Sequence, residues 1–186
     1  MTVVFLVALE SELDAAAVDA PVVFSGVGKV NAAMATVAAI RDYQPRMLIN
    51  LGTAGGKGLV SKQMYSVDKV VQGDMDASPL GFERFQTPFE SGTALELVDL
   101  DAGFPFATCY TADRFVTAND YGVASCLFDM ECFAIAKVCR DLGVEFHAVK
   151  FVTDGGDDEA SGDWEANLRI ARDNLTSLAQ RIIANL

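Results

Sequence analysis

The amino-acid sequence predicts a single α/β domain over residues 1–186, a mixed central sheet flanked by helices in three layers. Strand-like and helix-like patterns alternate along the chain, and most strand candidates are continuous apolar runs, as expected of strands covered on both faces. Glycine or acidic residues follow several of these runs, at the strand ends where an α/β sheet places its ligands. A chain of 186 residues suits one such domain.

The elements follow in order. TVVFLVAL (2–9) is apolar and rich in β-branched residues, a buried first strand. VVFSG (22–26) reads as a second. KVNAAMATVAAIRDY (29–43) is Ala-rich with apolar residues at helical spacing and stops near Pro45. RMLINLG (46–52) is a third strand, leading into GTAGGKG (52–58), which reads as a glycine-rich turn. YSVDKVVQGD (65–74) follows, then a polar loop with alternating aromatics, SPLGFERFQTPFESG (78–92), and two shorter strand candidates, ATCYTA (107–112) and CLFDM (126–130). ECFAIAKVCRDLG (131–143) is a helix stopped by Gly143. FHAVKFVTD (146–154) is the last strand, and residues 164–186 have the apolar spacing of an amphipathic closing helix. No repeat or linker divides the chain.

Composition narrows the function. A formal charge of −12 argues against nucleic acid as a partner, because phosphate binding needs clustered Lys and Arg. No run approaches the roughly 18 apolar residues of a membrane span. MTVVFLVALESEL has neither a basic residue ahead of its apolar run nor a small-residue cleavage site behind it, so it is not read as a secretory signal, and a cytoplasmic location is expected. Cys109, Cys126, Cys132 and Cys139 contain no C-x-x-C pair and read as reduced packing residues. The lone His147 lies in a strand pattern and reads as structural, so neither a metal site nor a Ser-His-Asp triad is expected. No cofactor is expected either.

Three stretches carry chemistry. SGVGKV (25–30) is not a nucleoside triphosphate loop, since Val23 and Val30 stand where that motif needs Gly and Ser or Thr. It remains a glycine turn feeding a helix N-terminus, able to hold a polar or anionic group. FDMECFAIA (128–136) puts Asp129 and Glu131 at a helix start, where acids serve either the helix dipole or a ligand. KFVTDGGD (150–157) puts Asp154 at a strand end, either as a turn residue or as a carboxyl whose pKa burial raises until it delivers protons near neutrality.

In combination and order, ALESE, SGVGK, GTAGG, FDMEC and TD, spanning residues 8–154, resemble the nucleoside phosphorylase and nucleosidase superfamily. They are most similar to the 5'-methylthioadenosine/S-adenosylhomocysteine nucleosidases. The resemblance implies a nucleoside phosphorylase-like fold and metal-independent cleavage of a purine nucleoside. It implies Glu12 as the base that activates water and Asp154 as the acid that protonates the purine or holds a proton on it. Glu131 would bind the ribose hydroxyls, Met130 would pack beneath the sugar and Phe115 would stack on the base. Thr53 and Gly55 would line the sugar side, and Thr153 takes the place of the serine that precedes the acid. Asp129 reads as structural, and Lys150 stands where relatives carry an arginine near the attacking water.

The loop 74–89 is a candidate wall for the 5' substituent, and a homodimer is implied by the same resemblance. The region before the glycine cluster, LINLG, lacks the arginine of phosphorylase relatives, which favours water over phosphate as the nucleophile. A phosphate-dependent phosphorylase and a non-catalytic nucleoside-binding module are the alternatives. Retention of Glu12, Glu131 and Asp154 together speaks against the second, since a binder needs no acid and base.

Overall fold

Val3–Val7 is buried along its whole length, and that burial on both faces explains its unbroken apolar sequence. In the computed structural model, which describes residues 2–117, 121–157 and 159–186, this segment is β1 of one mixed eight-stranded sheet. The elements run β1 (Val3–Val7), β2 (Val22–Phe24), α1 (Lys29–Tyr43), β3 (Met47–Lys57), β4 (Met64–Gln72), β5 (Ala94–Glu96), β6 (Phe106–Thr111), β7 (Cys126–Asp129), α2 (Cys132–Leu142), β8 (Glu145–Asp154) and α3 (Ala160–Ala184).

The pairing closes part of the sheet on itself. β3 pairs with β7, β7 with β6, β6 with β4, β4 with β8, and β8 returns to β3. β1 and β2 extend this ring from the edge of β3, and β5 extends it from β4. One face packs Val4, Leu6 and Leu48 against α1 and α2 through Ala32, Ala39, Ile135 and Cys139. The other packs Phe5, Ile49 and Phe151 against Leu175, Leu178 and Ile182 of α3. Helices on both faces make the expected three layers.

The structure corrects two local expectations and adds one short strand. The glycine cluster is not a turn: β3 runs straight through it to Lys57. The glycines serve close packing between strands, since a Cβ on Gly55 would lie 2.7 Å from Asp154 Oδ1 and one on Gly56 would lie 2.8 Å from Val152 Cγ1. α3 begins at Ala160, before Trp164, because the Asp157 carboxylate accepts the Glu159 N–H at 3.1 Å and Ala160 is fully buried. β5 has three residues, too few to show a period.

His147 is buried with its ring nitrogens bonded to the Val98 carbonyl and the Glu145 carboxylate. All four cysteines are buried, and none is in a disulfide.

Candidate active site

β1 ends in a short turn that carries Glu12 back over the sheet, and the Glu12 side chain is 3 % exposed. Its Oε1 accepts the backbone N–H of Thr53 at 2.8 Å and the Thr53 hydroxyl at 2.6 Å. Its Oε2 accepts the Leu9 N–H at 3.0 Å. The carboxylate is thus held rigidly against β3, over Gly52, where a Cβ would come within 3.6 Å of it.

Two residues beyond Thr53 along β3, roughly 7 Å at strand spacing, Gly55 faces Asp154 at the end of β8. Asp154 Oδ2 accepts the Thr153 hydroxyl at 2.8 Å, and Oδ1 accepts the Gly156 N–H at 3.1 Å. Burial pushes the Asp154 carboxyl above its ordinary range, aided by Asp157 and Asp163, while those two hydrogen bonds pull the other way. Asn167 of α3 donates to the Thr153 carbonyl at 2.8 Å and fixes the backbone that presents the acid.

The third carboxylate stands at the start of α2. Glu131 Oε1 accepts the Gly28 N–H at 2.8 Å, so the N-terminus of α1 holds it. Burial first, then the charges of Asp129 and Glu12, push Glu131 up to about 7, against Lys150 and the Gly28 N–H. Asp129, two residues earlier, is committed elsewhere. Its Oδ2 lies 2.8 Å from Lys150 Nζ and 2.8 Å from the Cys132 N–H, and its Oδ1 accepts the Thr111 hydroxyl at 2.5 Å. Burial works against the charge on Asp129, but Lys150 and these hydrogen bonds hold it below its usual range; reciprocally, Asp129 holds buried Lys150 well above the ordinary lysine value despite burial.

These groups border a cavity of about 390 Å³ whose walls include Glu12, Thr53, Gly55, Phe115, Met130, Glu131 and Asp154. Seven of the eight site residues expected from the sequence therefore meet at one cavity. Thr153 stands behind the wall, fully buried, and acts on Asp154 rather than on the cavity. Thr53 lines the wall, but its N–H and hydroxyl donate to Glu12. The described lining of this cavity includes no residue of the loop 74–89. That loop instead packs Phe85 on Tyr110 and Tyr121.

Sequence reasoning missed Trp164, whose indole N–H donates to Thr53 Oγ1 at 3.1 Å, and the Asp129–Lys150 pair. A tryptophan between Asp163 and Glu165 near the start of the closing helix was the available signal for the former, and the chain has only one. Cys109, Asp129 and Cys132 bring ligand atoms within 4.8 Å of one another, the one such group among the described residues. The Lys150 ammonium already occupies the cation position on that carboxylate.

A family model of the phosphorylase superfamily matches residues 13–184. The chain belongs to the phosphorylase superfamily. Among its superfamily relatives, the 5'-methylthioadenosine/S-adenosylhomocysteine nucleosidase of Haemophilus influenzae (strain PittEE) is 30 % identical over 187 residues, covering 87 % of this chain and 80 % of the relative. The nucleosidase of the same designation from Exiguobacterium sp. (strain ATCC BAA-1283 / AT1b) is 29 % identical, covering 87 % and 78 %.

Among superfamily structures, the Neisseria meningitidis 5'-methylthioadenosine/S-adenosylhomocysteine nucleosidase in complex with methylthio-immucillin-A superposes with a TM-score of 0.91 at 23 % identity, over 100 % of this chain and 99 % of the other. A futalosine hydrolase mutant of Helicobacter pylori strain 26695 superposes with a TM-score of 0.90 at 17 % identity, over 100 % of both chains. The superfamily fold is common to both enzymes, so the choice of reaction rests on the residues of the cavity and on the sequence relatives.

Proposed function

We infer that the chain is a purine nucleosidase that hydrolyses the N-glycosidic bond of 5'-methylthioadenosine or S-adenosylhomocysteine and releases adenine. The observation that carries this reading is a rigidly held carboxylate, Glu12, sharing one cavity with a carboxyl, Asp154, that burial makes reluctant to ionise. A phosphate nucleophile would need a cationic cradle. Here Lys150 is paired with Asp129, and Arg114, the cation in the cavity wall, lies over the Tyr121 ring at 5.7 Å. A neutral water suits a wall that already carries Glu12.

In this mechanism Glu12 takes a proton from water as the water attacks the anomeric carbon. Cleavage builds positive charge on the ribose and negative charge on the departing purine. Glu131, in its ionised form, accepts the ribose hydroxyls and stabilises the oxocarbenium-like sugar, with Met130 beneath it. Asp154 supplies the proton to the purine ring nitrogen, so the base leaves neutral, and Phe115 stacks on that base. Thr153 orients Asp154.

The test is release of free base from methylthioadenosine, S-adenosylhomocysteine, adenosine and inosine, with and without phosphate. Release of adenine from the 5'-thio nucleosides without phosphate is expected; release that depends on phosphate would make the enzyme a phosphorylase.

A homodimer is part of this reading. It is supported by an apolar stripe on α1, where Val30 is 71 % and Met34 69 % exposed with Val37 one turn further. Light scattering should give twice the chain mass; a monomer at assay concentration would remove the dimer from the reading. Buried cysteines outside any disulfide suit a reducing compartment, and we place the enzyme in the cytoplasm. No helix among the described residues is long and apolar enough to cross a membrane.

A further inference from the structure

We propose that Trp164 is a positioning residue for the nucleophile end of the site, acting through Thr53 on Glu12. This rests on the reading of Glu12 as the base. Its argument is the direction of two hydrogen bonds. An indole N–H donates and never accepts, so the 3.1 Å contact from Trp164 Nε1 makes Thr53 Oγ1 an acceptor. The hydroxyl keeps one proton, and the 2.6 Å contact sends it to Glu12 Oε1.

With the Thr53 N–H also bound at 2.8 Å, Oε1 holds two donors and both its lone pairs are engaged. Oε2 holds only the Leu9 N–H and keeps one lone pair open. Trp164 therefore selects which carboxylate oxygen receives the proton of water. A phenylalanine of similar shape would leave the Thr53 hydroxyl free to rotate away from Glu12. Trp164 also borders the cavity, on α3, which reaches the sheet from the side opposite α1 and α2.

The experiment is a double-mutant cycle of Trp164→Phe and Thr53→Val on methylthioadenosine hydrolysis, with adenine affinity measured in parallel. Trp164→Phe alone should lower kcat by about ten- to a hundredfold, the scale of a misplaced catalytic group. KM and adenine affinity should stay within about twofold of wild type, well under the tenfold per 1.4 kcal/mol scale. In the Thr53→Val background the same change should have almost no further effect. An undiminished kcat in Trp164→Phe, or an equal loss in both backgrounds, overturns the proposal, the latter because it would mean simple packing.

The hydrogen bond has its own readout in the single indole N–H proton. Its exchange with solvent should be slow in the wild type and faster in Thr53→Val; equal exchange overturns the link. Wild-type protein that releases no base would sink the nucleosidase reading and this role with it, whereas an active wild type with an unaffected Trp164→Phe sinks the role alone.

Discussion

Asp154 and Glu12 face one cavity under opposite demands, and each demand is met by named neighbours. Glu12 accepts the Leu9 N–H, the Thr53 N–H and the Thr53 hydroxyl, which fix the carboxyl group proposed to take a proton from water. Asp154 is pushed by burial toward the protonated form that a purine needs from an acid. Glu12→Gln keeps the shape and removes the proposed base, and Asp154→Asn does the same to the proposed acid. Each should lower kcat by about 10²- to 10⁴-fold, the usual worth of a general acid or base. Calorimetry should still find adenine bound to the folded Glu12→Gln protein. Near-wild-type turnover in either variant would take that residue out of the mechanism. The same paired demands explain Gly55: any side chain there would strike the acid, with a Cβ only 2.7 Å from Asp154 Oδ1.

At the scale of elements, the strands and helices were legible where burial writes directly into composition. β1 and β8 are apolar runs because both faces are covered, and α2 ends at Gly143, whose φ of 70° is the left-handed turn that glycine tolerates best. The glycine cluster misled because glycine signals a turn, whereas here it lets three strands meet without side chains between them. The three carboxylates were legible through their order along the chain. Their partners were not, because Lys150–Asp129 and Trp164–Thr53 join positions far apart in sequence with no local pattern to announce them.

The Lys150–Asp129 pair ties the middle of β8 to the end of β7 in a site both side chains leave almost wholly unexposed. Lys150→Met strands a buried carboxylate and should cost about 3–5 kcal/mol in urea unfolding. Adding Asp129→Asn should return much of that loss, since the remaining amide carries no charge. A Lys150→Met protein as stable as the wild type would show that water, not Lys150, compensates Asp129.

For the whole molecule, Glu131 as the proposed ribose ligand would couple folding to binding through one proton. Burial, Asp129 and Glu12 push its carboxyl from 4.5 up to about 7 in the folded protein. The folded state therefore holds a proton that the unfolded chain has already lost between those two values. The sign follows: the contribution to stability is full below about 4.5, declines as pH rises, and is gone above about 7. Asp154 is shifted in the same direction and adds to this slope, whereas Asp129, held below its ordinary range, changes stability only at more acidic pH.

Ribose binding by Glu131, as proposed, has the opposite sign, since hydroxyl donors need the ionised carboxylate. Asp154→Asn isolates the effect, because it removes the second raised carboxyl and, being slow, allows methylthioadenosine itself to serve as ligand. In that variant the apo Tm should fall by several degrees between pH 5 and 7.5, while affinity for methylthioadenosine rises by up to about tenfold per pH unit before levelling near 7. Adenine, which lacks the ribose, should show no such rise. Adding Glu131→Gln should flatten both curves. If the affinity slope survives that second change, Glu131 is not the ribose ligand. If only the stability slope survives, another buried carboxyl carries the proton and the charge environment around Glu131 has been assigned to the wrong group.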